Sequence, residues 1–440
     1  MLETPIPRLV TQLAVPTVIV QLITLIYNTA DTYFISQINK SASAAVGASF
    51  AVMALIQAVG FGLGMGACSL CSMKLGEGKD EEAHICGSSA LAAAFLTGLV
   101  LMGLGLGFLH PLLRLIGCSE TMLDYAAGYL RFILLVAPIS CPSFVLSNLL
   151  RSEGDSKLAM YGMAGGGLLN MALDPLLIFG LGMGTAGAAI ATAVSQIFSF
   201  SVMLSHFLRG KTIIRLKRRY VSREMEEYRL IVSTGLPTVF RQGISSVATV
   251  ALSRQAVLYG DAAVAAITIA NKCYILVRCI MLGIGQGYMP AAGYNYGAGL
   301  KKRSWEAFTF ACKVGTVICC VSALLIAAFA GPLMWWFCKD EQVLELGRQT
   351  LYFVCAVMPV LGFSTFVNQL YQCLGFRLEA TILASCRQGI FFLPIVMILP
   401  GVLGVTGVEL SQPLADLMTC LVSIPFIIKM RRKYLNWENS

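Results

Sequence analysis

Long apolar stretches recur along the chain, separated by short segments rich in charge or turn residues. They fall at about 9–36, 43–73, 85–110, 125–150, 158–181 and 185–208. After a basic stretch they resume at about 228–257, 262–292, 305–331, 348–372, 378–400 and 404–428. Roughly 20 apolar residues suffice to cross a bilayer as a helix, so the pattern predicts twelve spans. A membrane β-barrel would show ten-residue segments of alternating polarity instead of unbroken runs, and is excluded.

Composition agrees with this reading. Of 440 residues, 57% are hydrophobic and 12% charged, about half the charged fraction of a soluble domain. Disorder, collagen, a coiled coil and a water-soluble two-domain enzyme are excluded together. Most of the 15 cysteines sit singly in apolar runs, where a free thiol packs as a small hydrophobe. The start of the chain lacks the basic segment and small-residue cleavage site of a signal peptide, so the first helix is expected to be retained.

The net charge of +9 changes the picture only through its placement. With the N-terminus inside, the inner connections carry twenty Lys and Arg, among them Arg8, Lys74, Arg151, Arg215, Lys217, Arg303 and Lys433. The outer ones carry five: Lys40, Arg114, Arg254, Lys339 and Arg348. The positive-inside rule then predicts that both termini are cytoplasmic. The basic 209–223 segment reads as a solvated loop facing anionic lipid, not as a nucleic-acid site.

An internal repeat sets the architecture. Laid over the second half in one constant register, the first half puts Pro16-Thr17-Val18 on Pro237-Thr238-Val239. The same register puts Gly62, Gly64, Gly66, Gly76 and Gly78 on Gly283, Gly285, Gly287, Gly297 and Gly299, and Gly154 on Gly375. The expected fold is an all-α polytopic membrane protein. Its twelve transmembrane helices form two six-helix lobes related by a pseudo-two-fold axis along the membrane normal, with a cavity between them. The N lobe is 1–208, the cytoplasmic linker 209–227 and the C lobe 228–440.

Ionisable groups at mid-span cost roughly 2.5–3.5 kcal/mol each on insertion scales, which makes them functional candidates. The N lobe offers Asp31 and Asp174. Asn170 lies one helical turn from Asp174 on the same face, and Thr192 and Tyr129 fall at a similar depth. The second half has Leu252, Phe391 and Ile395 where the first has Asp31, Asn170 and Asp174. The duplicated scaffold therefore does not need the carboxylates to fold. Two nearby carboxylates in low dielectric favour taking up a proton or sharing a hard cation; the structural alternative is a pair of neutral acids hydrogen-bonded between helices.

The other embedded charges, Arg241, Lys272, Arg278, Arg387, Glu409 and Asp416, read as structural, with Arg387 expected to pair with an acid on the last helix. Gly182-Met-Gly184-Thr-Ala-Gly187 imitates a dinucleotide fingerprint, but no acidic residue follows before Glu224, so a tight turn and close helix packing explain it better. Pro16 and Pro237 occupy matched positions in the first helix of each half. Pro16 is a candidate hinge about four turns from Asp31, or a static bend.

Leu150-Arg-Ser-Glu-Gly-Asp-Ser-Lys157, Asn170-Met-Ala-Leu-Asp-Pro175 and the glycine run through Thr192 resemble the most distinctive stretch of the MATE (multidrug and toxic compound extrusion) family. Tyr27-Asn28-Thr-Ala-Asp31, Gly285-Gln-Gly287, Tyr294-Asn-Tyr-Gly-Ala298 and Arg387-Gln-Gly389 are similar to it too. The resemblance covers essentially the whole chain. It implies a non-enzymatic antiporter of the cytoplasmic membrane that exports mostly cationic amphiphilic drugs by alternating access. The coupling ion would be H+ or Na+, and no cofactor is implied. Asp31, Asn170, Asp174 and Thr192 match the family's N-lobe cation site, which Tyr129 joins. With Gln242 in the seventh span and no acid between Thr350 and Gln372, the chain looks closest to the prokaryotic branch relying on that site. A monomer is expected. The alternative is a lipid-linked saccharide flippase of the same broader superfamily, which would predict a large basic cavity and often 14 spans.

Overall fold

The computed structural model describes the backbone of residues 1–436 and the side chains of residues 1–432. Lys433, one of the inner cations, has its side chain outside the described residues. Twelve long helices carry the fold: α1 (Ile6–Ser36), α2 (Lys40–Gly76), α3 (Asp80–Gly107), α4 (Glu120–Ser152), α5 (Ser156–Gly180), α6 (Gly184–Leu208), α7 (Met225–Val257), α8 (Asp261–Gly297), α9 (Lys301–Ala328), α10 (Glu341–Cys373), α11 (Arg377–Leu403) and α12 (Val405–Asn436). Two short helices, Leu109–Leu115 and Ala330–Phe337, follow α3 and α9. The apolar pattern does not separate them, because their residues continue the preceding runs.

Eleven of the described long helices are apolar enough to cross a bilayer by length and composition alone. The remaining one is α7, interrupted by Arg241, Gln242, Ser245, Ser246 and Thr249, all of which line the central cavity described below. Its polarity has a local cause: those positions face the cavity between the lobes.

Helix ends follow from short-range chemistry. Asn39 caps α2 by accepting from the Ala42 amide at 2.6 Å, and Asp340 caps α10 through the Gln342 amide at 2.9 Å. The turns after α2 and α8 use Gly78 and Gly299, with φ of +74° and +77°; those after α4 and α10 use Gly154 and Gly375, with φ of +94° and +80°. Only glycine occupies this region without steric cost. Both pairs stand in the register of the repeat, which therefore extends to backbone conformation. The 182–187 glycines also behave as expected: Gly182 and Gly184 turn the chain with positive φ, and a Cβ on Gly187 would meet the Leu177 carbonyl carbon and oxygen at 2.9 and 2.8 Å.

Helix α4 is buried along most of its length and runs through the first lobe; α10 has the corresponding place in the second. The lobes meet along a seam built on glycine. A Cβ on Gly62 would lie 2.3 Å from Val239, and one on Gly283 2.7 Å from Val18; one on Gly66 would fall 3.0 Å from the Gly235 amide, and one on Gly287 2.3 Å from Ala14. Each contact recurs at the matched positions with the lobes exchanged, as a two-fold relation requires. All of these residues lie in the halves of α1, α2, α7 and α8 at the same end of the bundle as the chain termini. The lobes are therefore closed at that end, and the cavity opens beyond the seam.

The 209–227 segment differs from a free solvated loop. Helix α7 already begins at Met225, and the preceding residues form a strap against the first lobe. The Ile213 and Ile214 amides donate to the two carboxylate oxygens of Glu153 at 3.0 and 2.8 Å. The Ser222 amide donates to Ser89 Oγ at 2.9 Å, and the Ile214 side chain is fully buried. The segment is basic by side chain, but its backbone polarity is spent on the protein.

Candidate ion site and inter-lobe cavity

Four of the five polar residues singled out in the N lobe form a buried group. Asn170 and Asp174 are one turn apart on α5, and Asn170 Nδ2 donates to Asp174 Oδ1 at 3.3 Å. The same amide reaches Thr192 Oγ1 of α6 at 3.3 Å, and that hydroxyl donates to the Ala188 carbonyl. Asp31, on α1, is 3% exposed and Asp174 fully buried. Asp31 and Thr192 share a small cavity of about 30 Å³ with Tyr27, Asn28, Gln57 and Gln196; that is space for one water or one bare cation. Tyr129 is fully buried within electrostatic reach of both carboxylates. Its hydroxyl, however, bonds to neither and points to Met53 Sδ at 3.8 Å.

The group is short of donors. Asp31 Oδ1, Asn170 Oδ1, Asp174 Oδ2 and Gln196 Oε1 are buried without a hydrogen-bond partner. An unsatisfied buried polar atom costs about 1–3 kcal/mol, so a cluster of orphaned acceptors suits a proton or a hard cation, whose ligands are oxygens. Gln196 and Gln57 give no signal in the sequence, because neutral polar residues carry no insertion penalty large enough to stand out, and Tyr27 appears there only as part of the motif that ends at Asp31.

Pro16 is buried within an unbroken α1, beside Val18 and Ala14 of the seam. It removes a backbone hydrogen bond next to the contact between lobes. Where the N lobe has its acids, the second lobe packs Leu252, Phe391 and Ile395 against an apolar cluster with Ala248, Phe392, Val396 and Ala415.

The second lobe places its charges elsewhere. A cavity of about 360 Å³ between the lobes is lined by residues of α1, α2, α7, α8, α10 and α11, with one from α12, Thr419. Among the described residues its charged lining is Arg241, Arg278 and Arg387, with no carboxylate. Arg387 sits in a π-helical segment, Cys386–Phe392, a feature frequent at functional sites. As expected it takes an acid of α12 as partner: its Nε donates to Asp416 Oδ1 at 2.7 Å. Tyr274 donates to Asp416 Oδ2 at 2.7 Å and Gln412 to Oδ1 at 3.1 Å. The other two cavity arginines find no acid among the described residues. Arg241 reaches Asn368 Oδ1 and Arg278 reaches Ser245 Oγ, each at 3.4 Å. Below them, the buried Arg151 of α4 donates to Gln286 of α8 at 2.8 Å, joining the lobes.

Twelve helices in two matched lobes, facing each other across a polar cavity, define a multi-pass membrane transporter and not an enzyme. The chain matches the MatE family twice, over residues 16–176 and 237–419, each match starting at one of the paired prolines, and it belongs to the MATE family of ion-coupled transporters. Among its relatives, an FAD transporter of Shewanella oneidensis is 29% identical over 433 residues, covering 95% of this chain and 93% of that one. The multidrug export protein MepA of Staphylococcus aureus is 24% identical over 441 residues, covering 100% and 97%. A solved MOP-superfamily transporter from Pyrococcus furiosus, described with a binding pocket of reversed polarity suggesting a different function, superposes with a TM-score of 0.92 at 25% identity, covering 99% and 98%.

Proposed function

We propose that this chain is a secondary active exporter of amphiphilic small molecules, exchanging them for H+ or Na+ held at Asp31, Asn170, Asp174 and Thr192, with Tyr129 buried beside them. The observation that carries this reading is the set of orphaned buried oxygens in one lobe, set against an apolar cluster at the matched place in the other. Uptake of a cation satisfies those oxygens and draws α1, α5 and α6 together. That biases the lobes between arrangements, because a ligand shifts an equilibrium by its differential affinity for the two states.

The transporting unit is a monomer in the cell membrane, since one chain supplies both lobes and the cavity. Residues 1–208 and 228–440 move against each other, with 209–227 as the connecting strap. The placement of Lys and Arg puts both termini on the cytoplasmic side. The seam then closes the cytoplasmic end, and the cavity faces outward.

The test uses purified protein in liposomes, with an imposed pH gradient and, separately, an imposed Na+ gradient. Dye or solute flux driven by one of them identifies the ion. Asp31→Asn and Asp174→Asn should each reduce that flux to the level of protein-free liposomes while leaving insertion intact. Full flux in both variants would remove the ion site from Asp31 and Asp174.

A further inference from the structure

Among the described residues three guanidinium groups and no carboxylate line the inter-lobe cavity, a polarity opposite to what a cationic solute needs. Asp416 neutralises Arg387 at 2.7 Å. Arg241 and Arg278 have only neutral partners at 3.4 Å among the described residues, and Arg278 Nε is buried with no partner at all. Arg278 and Arg387 are both close enough for their positive charges to act on Arg241, Asp416 reaches Arg278 only at a distance, without a hydrogen bond, and Arg151 adds a fourth cation behind Gln286. An arginine embedded at membrane depth is costly unless paired, and two unpaired ones beside a third raise that cost by mutual repulsion. The matched positions of the first half are Val20, Gln57 and Gly166, which carry no charge. The duplicated fold therefore does not require these arginines. The opposite wall offers Phe61, stacked on Phe144 at 4.4 Å between ring centroids, beside Gln21 and Asn28.

We propose that the cavity is an anion site, in which Arg241 and Arg278, flanked by the paired Arg387, bind the phosphate or carboxylate of an amphiphilic organic anion whose apolar part lies toward Phe61. The proposal rests on the transport reading above and names its substrate class. A planar guanidinium offers paired N–H donors matched to phosphate and carboxylate oxygens. The volume of about 360 Å³ is at the small end of drug-sized sites, which suits a compact solute. The acids of the ion site lie in the other lobe, so ion and solute do not compete for one group, and exchange is conformational.

Riboflavin 5′-phosphate and riboflavin test this directly, because they share one ring system and differ by the phosphate; ethidium serves as the cation. Binding to the detergent-solubilised full chain is read by flavin or ethidium fluorescence. The phosphate ester is expected to bind at least about 10-fold tighter than riboflavin, the worth of one charge-assisted hydrogen bond. Added salt should weaken it. Arg278→Gln and Arg241→Gln should each remove about 10-fold of that preference, Arg278→Lys less, with a monodisperse, helical protein in every case. Equal binding of the two flavins, or ethidium preferred over both, overturns the proposal.

Flux in liposomes separates the remaining outcomes. Phosphate-selective binding without gradient-driven flux overturns the coupled-transport reading and leaves the anion site standing. Ethidium flux that needs Asp31, without phosphate selectivity, does the reverse. A fluorescent phosphatidic acid, scored for transfer between leaflets, distinguishes a lipid-borne anion from a soluble one. Both support the anion site.

Discussion

Gly76 and Tyr294 meet so closely that a Cβ on the glycine would lie 2.1 Å from the tyrosine carbonyl oxygen; at the matched positions of the repeat, a Cβ on Gly297 would lie 2.1 Å from the carbonyl oxygen of Met73. No rotamer change relieves a clash with backbone. Closure at the terminus-bearing end therefore depends on the absence of side chains at both positions. Gly76→Val and Gly297→Val should each disfavour the closed arrangement by about 1–3 kcal/mol, a population change of roughly 5- to 150-fold. Spin-label distances between α2 and α7, in a cysteine-free background, would report it. Gly47→Ala, at a place where a Cβ meets nothing within 4 Å, should leave the distances unchanged.

The two lobes allow a transplant. Asp31→Leu with Asp174→Ile gives the N lobe the residues found at the matched C-lobe positions. Replacing buried charged groups with apolar ones is often neutral or stabilising. Thermal unfolding in detergent should show a midpoint no lower than that of the parent, together with loss of gradient-driven flux. A midpoint several degrees lower would mean that the acids are structural, holding α1 to α5.

Asp416 accepts from Arg387, Tyr274 and Gln412, so Asp416→Asn leaves a partly buried guanidinium without its counter-charge. Breaking such a pair costs about 3–5 kcal/mol, visible as a lower thermal midpoint. The variant also adds one net positive charge beside the cavity. Binding of an anionic flavin at low ionic strength should tighten in whatever fraction remains folded, and the effect should fade with added salt.

The strap is pH-sensitive through Glu153. Burial pushes its carboxyl up to about 7, the Ile214 and Ile213 amides oppose that, and Asp155 adds to it. A folded-state value above the ordinary 4.5 means that the docked strap binds more protons than the released one. Docking is strongest below about pH 4.5 and weakens as the pH rises through about 7. Tryptic cleavage within residues 211–219, normalised to a peptide substrate, should accelerate between about pH 6 and pH 8. Glu153→Gln should flatten that rise. An equally steep rise in the variant would assign it to another group.

How much of this was legible in the sequence depends on the cost of each feature. Membrane spans announce themselves because a bilayer tolerates little else; even α7 was legible as a run, although its cavity-facing residues make it the least apolar of the twelve. Asp31 and Asp174 stood out because a carboxylate at that depth is expensive, and Asn170 and Thr192 followed by helical spacing. Gln196 and Gln57 did not, since neutral oxygens are cheap and common. The arginines were visible, and the pairing of Arg387 with the last helix could be expected. Nothing in the residue type shows that Arg241 and Arg278 take only neutral hydrogen-bond partners. The docking of the strap was illegible for a similar reason: its contacts run from backbone amides to Glu153 and Ser89, and every residue but proline has such an amide.

The close approaches described across the glycine seam recur with their partners exchanged, as they would if two copies of one self-complementary half had been joined. Two copies of such a half would associate as an isologous dimer. In that dimer each residue facing the cavity has a twin across the axis, and an acid on one side is an acid on both. Joining the copies in one polypeptide removes that equality. One half then keeps carboxylates for an ion while the other keeps guanidinium groups, two specificities that a symmetric pair would have to superimpose at every site.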